Sequence, residues 1–207
     1  MRAAGPRRRL FFAAWATESF GRQLHASVAA MLGAVPGRPV APADWHVTLC
    51  FLGAVEQTVL GALQAGAGQI QARAFELRFE QIEYWRQARV ISVTAATVPE
   101  SARALAGALR ALARSLALAS EERPLRAHVT LMRGVIPAVW EEFRAGPGRL
   151  PQRVDLTLEA HEFHLAESLE VPQAAGTPSA PPRGPLASGA PAPARRYASL
   201  SRWPLPT

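Results

Sequence analysis

Apolar and polar positions along this chain fall into short blocks separated by turn-forming residues. The run at 9–16 (RLFFAAWA) is short, aromatic and apolar, which predicts a buried strand. Thr17 or Ser19 can cap the helix that follows, through about Gly33, before Gly33, Pro36, Gly37 and Pro39 mark a loop. A second strand is predicted from Trp45 to Leu52, ending at Gly53. Residues Glu56 to Ala72 read as a helix that Gly61, Gly66 and Gly68 weaken. From Phe75 to Ile82, Phe75, Leu77 and Phe79 alternate with Glu76, Arg78 and Glu80, as in a strand with one wet face. Arg89 to Ala95 is a β-branched strand. The clearest helix carries Leu105, Leu109, Leu112 and Leu116 as a stripe, with Arg103, Arg110 and Arg114 on a solvated face. A strand from Ala127 to Met132, a short helix near Ala138 to Phe143 and a strand from Val154 to Leu165 complete the series. Order resumes from Arg195 to Leu205, where Tyr197, Leu200 and Trp203 are apolar anchors.

Two of these blocks repeat. HVTL occurs at His46–Leu49 and again at His128–Leu131, each time after a strand, a helix and a Pro-containing loop. The spacing is similar: 36 residues separate Leu10 from His46, and 38 separate Val90 from His128. Two copies of one supersecondary unit predict pseudo-twofold lobes, each contributing one HVTL strand to a shared cleft. Because successive side chains of a strand face opposite ways, His46 and Thr48 share a face, as do His128 and Thr130. The cleft would then hold two imidazoles and two hydroxyls. Imidazole exists in both protonation states near neutrality, so the pair can act as acid and base across one group. The hydroxyls of Thr48 and Thr130 can donate to an oxyanion held between them.

Composition adds less. All 23 basic residues are arginine and the formal charge is +7, which favours phosphate-bearing partners. The absence of lysine beside so much alanine reads as compositional bias. Cys50 is the single cysteine, so there is no intrachain disulfide and no cysteine cluster for zinc, in keeping with a cytoplasmic protein. Arg7, Arg8 and Arg9 ahead of an apolar run imitate a signal peptide faintly, but Thr17 and Glu18 break the run. The Arg-rich start reads instead as a frayed tail ahead of the first strand. No stretch approaches the ~20 apolar residues of a membrane span. From Val171 to Ala194 the sequence collapses into proline, alanine, glycine and serine, which predicts a flexible insertion within a single bilobal domain spanning residues 1–207.

The paired HVTL motifs, the RLFFA opening, GRPV ahead of the first motif, EYWRQARV, RPLRAHVTLMRG and the Arg-Trp-Pro-Leu ending resemble the 2H phosphoesterases. More narrowly, they are similar to the bacterial and archaeal RNA 2′,3′-cyclic phosphodiesterases, also called 2′-5′ RNA ligases. The resemblance implies an α+β fold in which two antiparallel-rich sheets flank a central cleft, with helices outside. It implies hydrolysis of a cyclic phosphate to a 2′-phosphate, with reversible 2′-5′ ligation that needs no ATP. It implies RNA ends or nucleotides bearing a 2′,3′-cyclic phosphate as partners, no metal and no cofactor, and a monomer without membrane association. His46 takes the acid's role toward the leaving oxygen and His128 the base's role toward water, although pseudo-symmetry lets them exchange. Arg133 is expected to stabilise the phosphate, and Phe51 and Arg133, equivalent in the repeat, are expected to flank the base. Simple alternation places both on the face away from the histidines, so a bend near Gly53 and Gly134 is required.

Other residues carry plainer expectations. Cys50 falls on the His46 face as a small filler, and His25 is solvated on a helix. His161 and His164 sit three apart in one strand, pointing oppositely and forming no metal site. Tyr84 and Trp85 are assigned to packing rather than to base stacking. Two alternatives remain open: a non-catalytic module that binds RNA ends, and a phosphodiesterase of the same superfamily acting on another cyclic or 2′-5′ linked nucleotide.

Overall fold

The computed structural model describes residues 6–120, 123–146, 154–169 and 195–207. The Pro/Ala-rich segment from Val171 to Ala194 lies outside the described residues. Nine strands among them form one antiparallel sheet: β1 (Arg7–Trp15), β2 (Arg38–Pro39), β3 (His46–Glu56), β4 (Phe75–Trp85), β5 (Val90–Ala95), β6 (His128–Arg133), β7 (Leu156–Ala160), β8 (Glu162–Ser168) and β9 (Tyr197–Pro204). Four helices accompany it: α1 (Glu18–Ala34), α2 (Leu60–Gly68), α3 (Glu100–Ser115) and α4 (Pro137–Ala145).

The strand order β7-β4-β5-β6-β3-β1-β8-β9 is nearly symmetric about its centre. On one side, β1–α1–β3 places β1 antiparallel to β3. On the other, β5–α3–β6 does the same. The two halves meet where β3 pairs with β6 at Val47 and Val129. The α+β, two-lobed architecture is therefore present, but the two expected sheets are one continuous sheet, because β3 pairs with β6 where the lobes meet.

Each helix forms for local reasons and buries one stripe. Thr17 caps α1, its hydroxyl accepting from the Phe20 backbone N–H at 3.3 Å. Phe20, Leu24, Val28 and Met31 recur at helical spacing and are buried. In α3, Leu105 and Leu109 are fully buried while Leu112 and Leu116 pack at the margin of the core. Helix α2 is shorter than its sequence pattern predicts. Glu56 ends β3, residues 57–59 form one 3-10 turn, and the helix stops at Gly68. Gly66 is there for contact, since a Cβ on it would overlap the Leu112 side chain of α3. No helix among the described residues is long and apolar enough to cross a membrane.

Three boundaries differ from expectation. Arg7 and Arg8 are not a frayed tail but, with Arg9, the first residues of β1, in register with Glu56, Val55 and Ala54 of β3. The strand predicted from Val154 to Leu165 is two strands, β7 and β8, separated by His161. β3 itself continues past Gly53 to Glu56.

Candidate active site

Both motifs sit on the central strands. Antiparallel pairing of Val47 with Val129 sets His46 across from Thr130 and Thr48 across from His128. The four side chains thus form one cluster on one face, while Val47, Leu49, Val129 and Leu131 anchor the strands in the core. Each imidazole is oriented in the same way. The Nδ1 of His46 lies 2.7 Å from the Asp44 carbonyl oxygen, and that of His128 lies 2.8 Å from the Arg126 carbonyl oxygen. A carbonyl only accepts, so each Nδ1 carries its proton, and Nε2 is the nitrogen of each ring able to exchange one.

Phe51 and Arg133 do reach this face, but not through a bend at the glycines. Leu49 has no partner between the pairs Phe12–Cys50 and Ala13–Thr48. Leu131 likewise has none between Ile91–Met132 and Ser92–Thr130. Each is a β-bulge, and the extra residue reverses the alternation that follows. Phe51 and Arg133 therefore line the same cavity as His46 and Thr48. Gly53 and Gly134, with φ of 68° and 70°, come after these residues, Gly53 beside a second bulge inside β3 and Gly134 just past the end of β6. The first bulge also moves Cys50 off the His46 face and into the core, where it is buried.

The surroundings of the two histidines differ. His46 is walled by Phe11, Trp15 and Tyr197, with ring centroids 5.0, 4.9 and 4.9 Å away. Burial among these rings, helped by the charges of Arg133 and His128, brings its pKa down to about 4 against the raising effect of the Asp44 carbonyl. His128 has Trp85 as its aromatic neighbour at 4.4 Å. Arg126 lies over that indole at 4.7 Å and pairs with Glu83.

Two cavities open on this face and share Thr48 and Phe51. One, of about 1200 Å³, holds His46, Arg133 and Tyr197 together with Arg7, Arg8, Arg9 and Arg196. The other, of about 860 Å³, holds His128, Trp85, Arg86, Arg110 and Arg126. Arg110, read as part of a solvated face, thus stands at the rim of the second cavity.

Several of these residues escaped sequence reasoning. Tyr197 packs on His46, and its hydroxyl accepts from Arg133 Nη2 at 3.3 Å. Asp44 is 1% exposed and ties its neighbourhood together. Its backbone carbonyl holds His46, and its Oδ2 accepts from the Arg196 backbone N–H at 3.0 Å. Trp85 belongs to the site rather than to the core, whereas Tyr84 packs on Trp140 and donates to the Val135 carbonyl. His25 is exposed on α1. His161 is exposed beside Glu159, while His164 is buried between Ser199 and Glu162. Among the described residues no cluster of three or more His, Cys, Asp or Glu side chains is placed to hold a metal ion.

Known proteins match this arrangement. The profile of the family described as "LigT like Phosphoesterase" matches residues 21–94. The chain is 35% identical to an RNA 2′,3′-cyclic phosphodiesterase of Escherichia coli (strain K12) over 103 residues. That alignment covers 50% of this chain and 58% of the relative, so it spans less than two thirds of the relative's length. The crystal structure of E. coli LigT complexed with 3′-AMP superposes with a TM-score of 0.73 at 28% identity, over 96% of this chain and 98% of that one. A crystal structure described as a phosphoesterase superposes with a TM-score of 0.70 at 26% identity, over 97% and 99% of the two chains.

Proposed function

We propose that this chain is a LigT-like phosphoesterase of the 2H family and opens 2′,3′-cyclic phosphates at RNA ends to give 2′-phosphates. The observation that carries this reading is the convergence of His46, Thr48, His128 and Thr130 on one face around the Val47–Val129 pair. Water attacks phosphorus, the bond to the ribose 3′ oxygen breaks, and the 2′ ester remains. One imidazole takes the water's proton through Nε2 while the other gives a proton to the departing 3′ oxygen. Thr48, Thr130 and Arg133 supply donors to the non-bridging oxygens, whose charge grows in the transition state. Phe51 offers its ring to the base of the terminal nucleotide. This chemistry is complete without a metal. A 5′-hydroxyl of a second RNA in place of the water would give a 2′-5′ linkage by the same displacement, hence ligation as a side reaction.

The resemblance gives His46 the acid's part. Its burial favours the opposite polarity, because a histidine with a pKa of about 4 enters the reaction neutral and ready to accept a proton. A substrate with an activated aryl leaving group separates the two, since its departure needs no proton. It restores turnover to the variant lacking the acid and not to the variant lacking the base.

The direct test is hydrolysis of a 2′,3′-cyclic nucleotide in EDTA, with the product isomer identified. A 2′-phosphate is expected at an undiminished rate. A 3′-phosphate would reverse the leaving oxygen, loss of activity in EDTA would overturn the metal-free mechanism, and no turnover at all would leave a module that binds RNA ends.

A further inference from the structure

The arginines at the start of β1 have no part in the mechanism above, yet they enter its cavity. Strand alternation places Arg7 and Arg9 on the face of Phe11 and Trp15, the face that walls His46. Arg7 is neutralised by Glu56 at 3.4 Å. Arg8 is held by both carboxylate oxygens of Glu167, its Nε at 2.9 Å from Oε1. Arg9 differs. Its guanidinium lies 5.0 Å above the Phe51 ring, and among the described residues no carboxylate pairs with it.

Arg196 reaches the same cavity from the chain just ahead of β9. Its backbone N–H is fixed on Asp44, while its side chain also has no carboxylate partner among the described residues. With Arg133, these make three cations around one cavity without carboxylates opposite them. Arg133 is committed to the reacting phosphate by its place beside His46, which leaves Arg9 and Arg196 without an anion. The space is generous as well. About 1200 Å³ exceeds the roughly 300–1,000 Å³ that encloses one drug-sized ligand, so a single cyclic nucleotide would not fill it.

We propose that Arg9 and Arg196 form a second phosphate subsite, which binds the phosphodiester on the 5′ side of the nucleotide carrying the cyclic end. The consequence is a preference for an RNA chain over a free cyclic mononucleotide. Arg9 suits this task because its stem and guanidinium already rest on Phe51, so its planar donors are held in position before RNA arrives. The subsite rests on the cyclic-end reading given above, and its test separates the two.

The measurement is the ratio of kcat/KM for a trinucleotide ending in a 2′,3′-cyclic phosphate to that for the cyclic mononucleotide. A ratio of at least ~10 is expected at low salt, falling by about tenfold in Arg9→Ala and in Arg196→Ala, with Arg9→Lys, which keeps the charge but not the stacked planar donors, falling between. Because each ratio is internal to one protein, a folding defect that affects both substrates alike cancels. Each lost phosphate contact should also flatten the slope of log binding against log salt by about 0.7 for single-stranded RNA. Equal kcat/KM for the two substrates, or a ratio untouched by both alanine variants, would overturn the subsite while leaving the cyclic-end reading intact. If neither substrate turns over, that reading fails alone. Fluorescence anisotropy of a labelled RNA trinucleotide with a 3′-phosphate then decides the subsite: weaker binding in the alanine variants supports it, and unchanged binding refutes it.

Discussion

The two HVTL strands share a sequence, a bulge and a carbonyl that holds Nδ1, yet they present their histidines to different media. His46 is enclosed by Phe11, Trp15 and Tyr197, whereas His128 leans on Trp85 beside the charged Arg126. What repeats is the backbone device that aims the imidazole. What does not repeat is the solvent it sees, and solvation decides whether a histidine rests neutral or charged. A pseudo-symmetric frame can thus aim two imidazoles alike while giving each a different environment.

The harshest way to break the comparison is to remove each imidazole. His46→Ala and His128→Ala should each lower kcat on a cyclic nucleotide by at least ~10²-fold, the usual scale for a general acid or base. Only one of the two should regain turnover on an aryl-activated diester, and equal rescue of both would show that the halves are not specialised.

A gentler change sharpens the comparison. Tyr197→Ala opens one wall of His46 and should raise its pKa from about 4 toward the ordinary 6.5, read by NMR titration of the ring. Trp85→Ala, beside the other motif, should leave His46 where it is. Stability must follow. The unfolded chain protonates this imidazole near 6.5 and the folded protein only near 4, so folding weakens as pH falls through that window, by about 3 kcal/mol. His164, also held low by burial, adds to the same fall. Tyr197→Ala, which touches His46 and not His164, should flatten the acid side of the stability curve. An unchanged curve would mean that water already reaches His46.

The smallest effect is expected at Cys50, at the bulge itself. Cys50→Ala should cost about 1 kcal/mol of stability, as an ordinary core truncation does, and change kcat/KM less than twofold. A large loss of activity would place the thiol in the chemistry after all.

Much of this was legible in the sequence because the repeat is local. Strand, helix, loop and HVTL recur within 36 and 38 residues, so the central four strands and the histidine–threonine cluster follow from pattern and pleat. The bulges were not read, although each leaves a mark: two adjacent apolar residues, Leu49-Cys50 and Leu131-Met132, interrupt alternation at the same offset from the histidine. Glycine drew attention to itself instead, and the turn was placed too late. Tyr197 and Asp44 were out of reach for a different reason. Tyr197 meets the site only through the long-range pairing of β9 with β8, and the buried Asp44 carboxylate is tied to the distant Arg196 backbone, neither of which a local pattern encodes. Arg7 and Arg8 read as a tail because charge ahead of an apolar run resembles a solvated segment, while here Glu56 and Glu167 accept them.

The single pairing of Val47 with Val129 has one more consequence. The two histidines and two threonines of the cluster rise from two neighbouring strands about 4.8 Å apart, so their spacing is written into the hydrogen-bonding grid of the sheet. Nothing need be ordered when substrate arrives, and the conformational entropy of assembling the cluster was already spent when the chain folded. Such a preorganised constellation stands apart from the loops at the rim, leaving their length and composition free to vary without disturbing the chemistry.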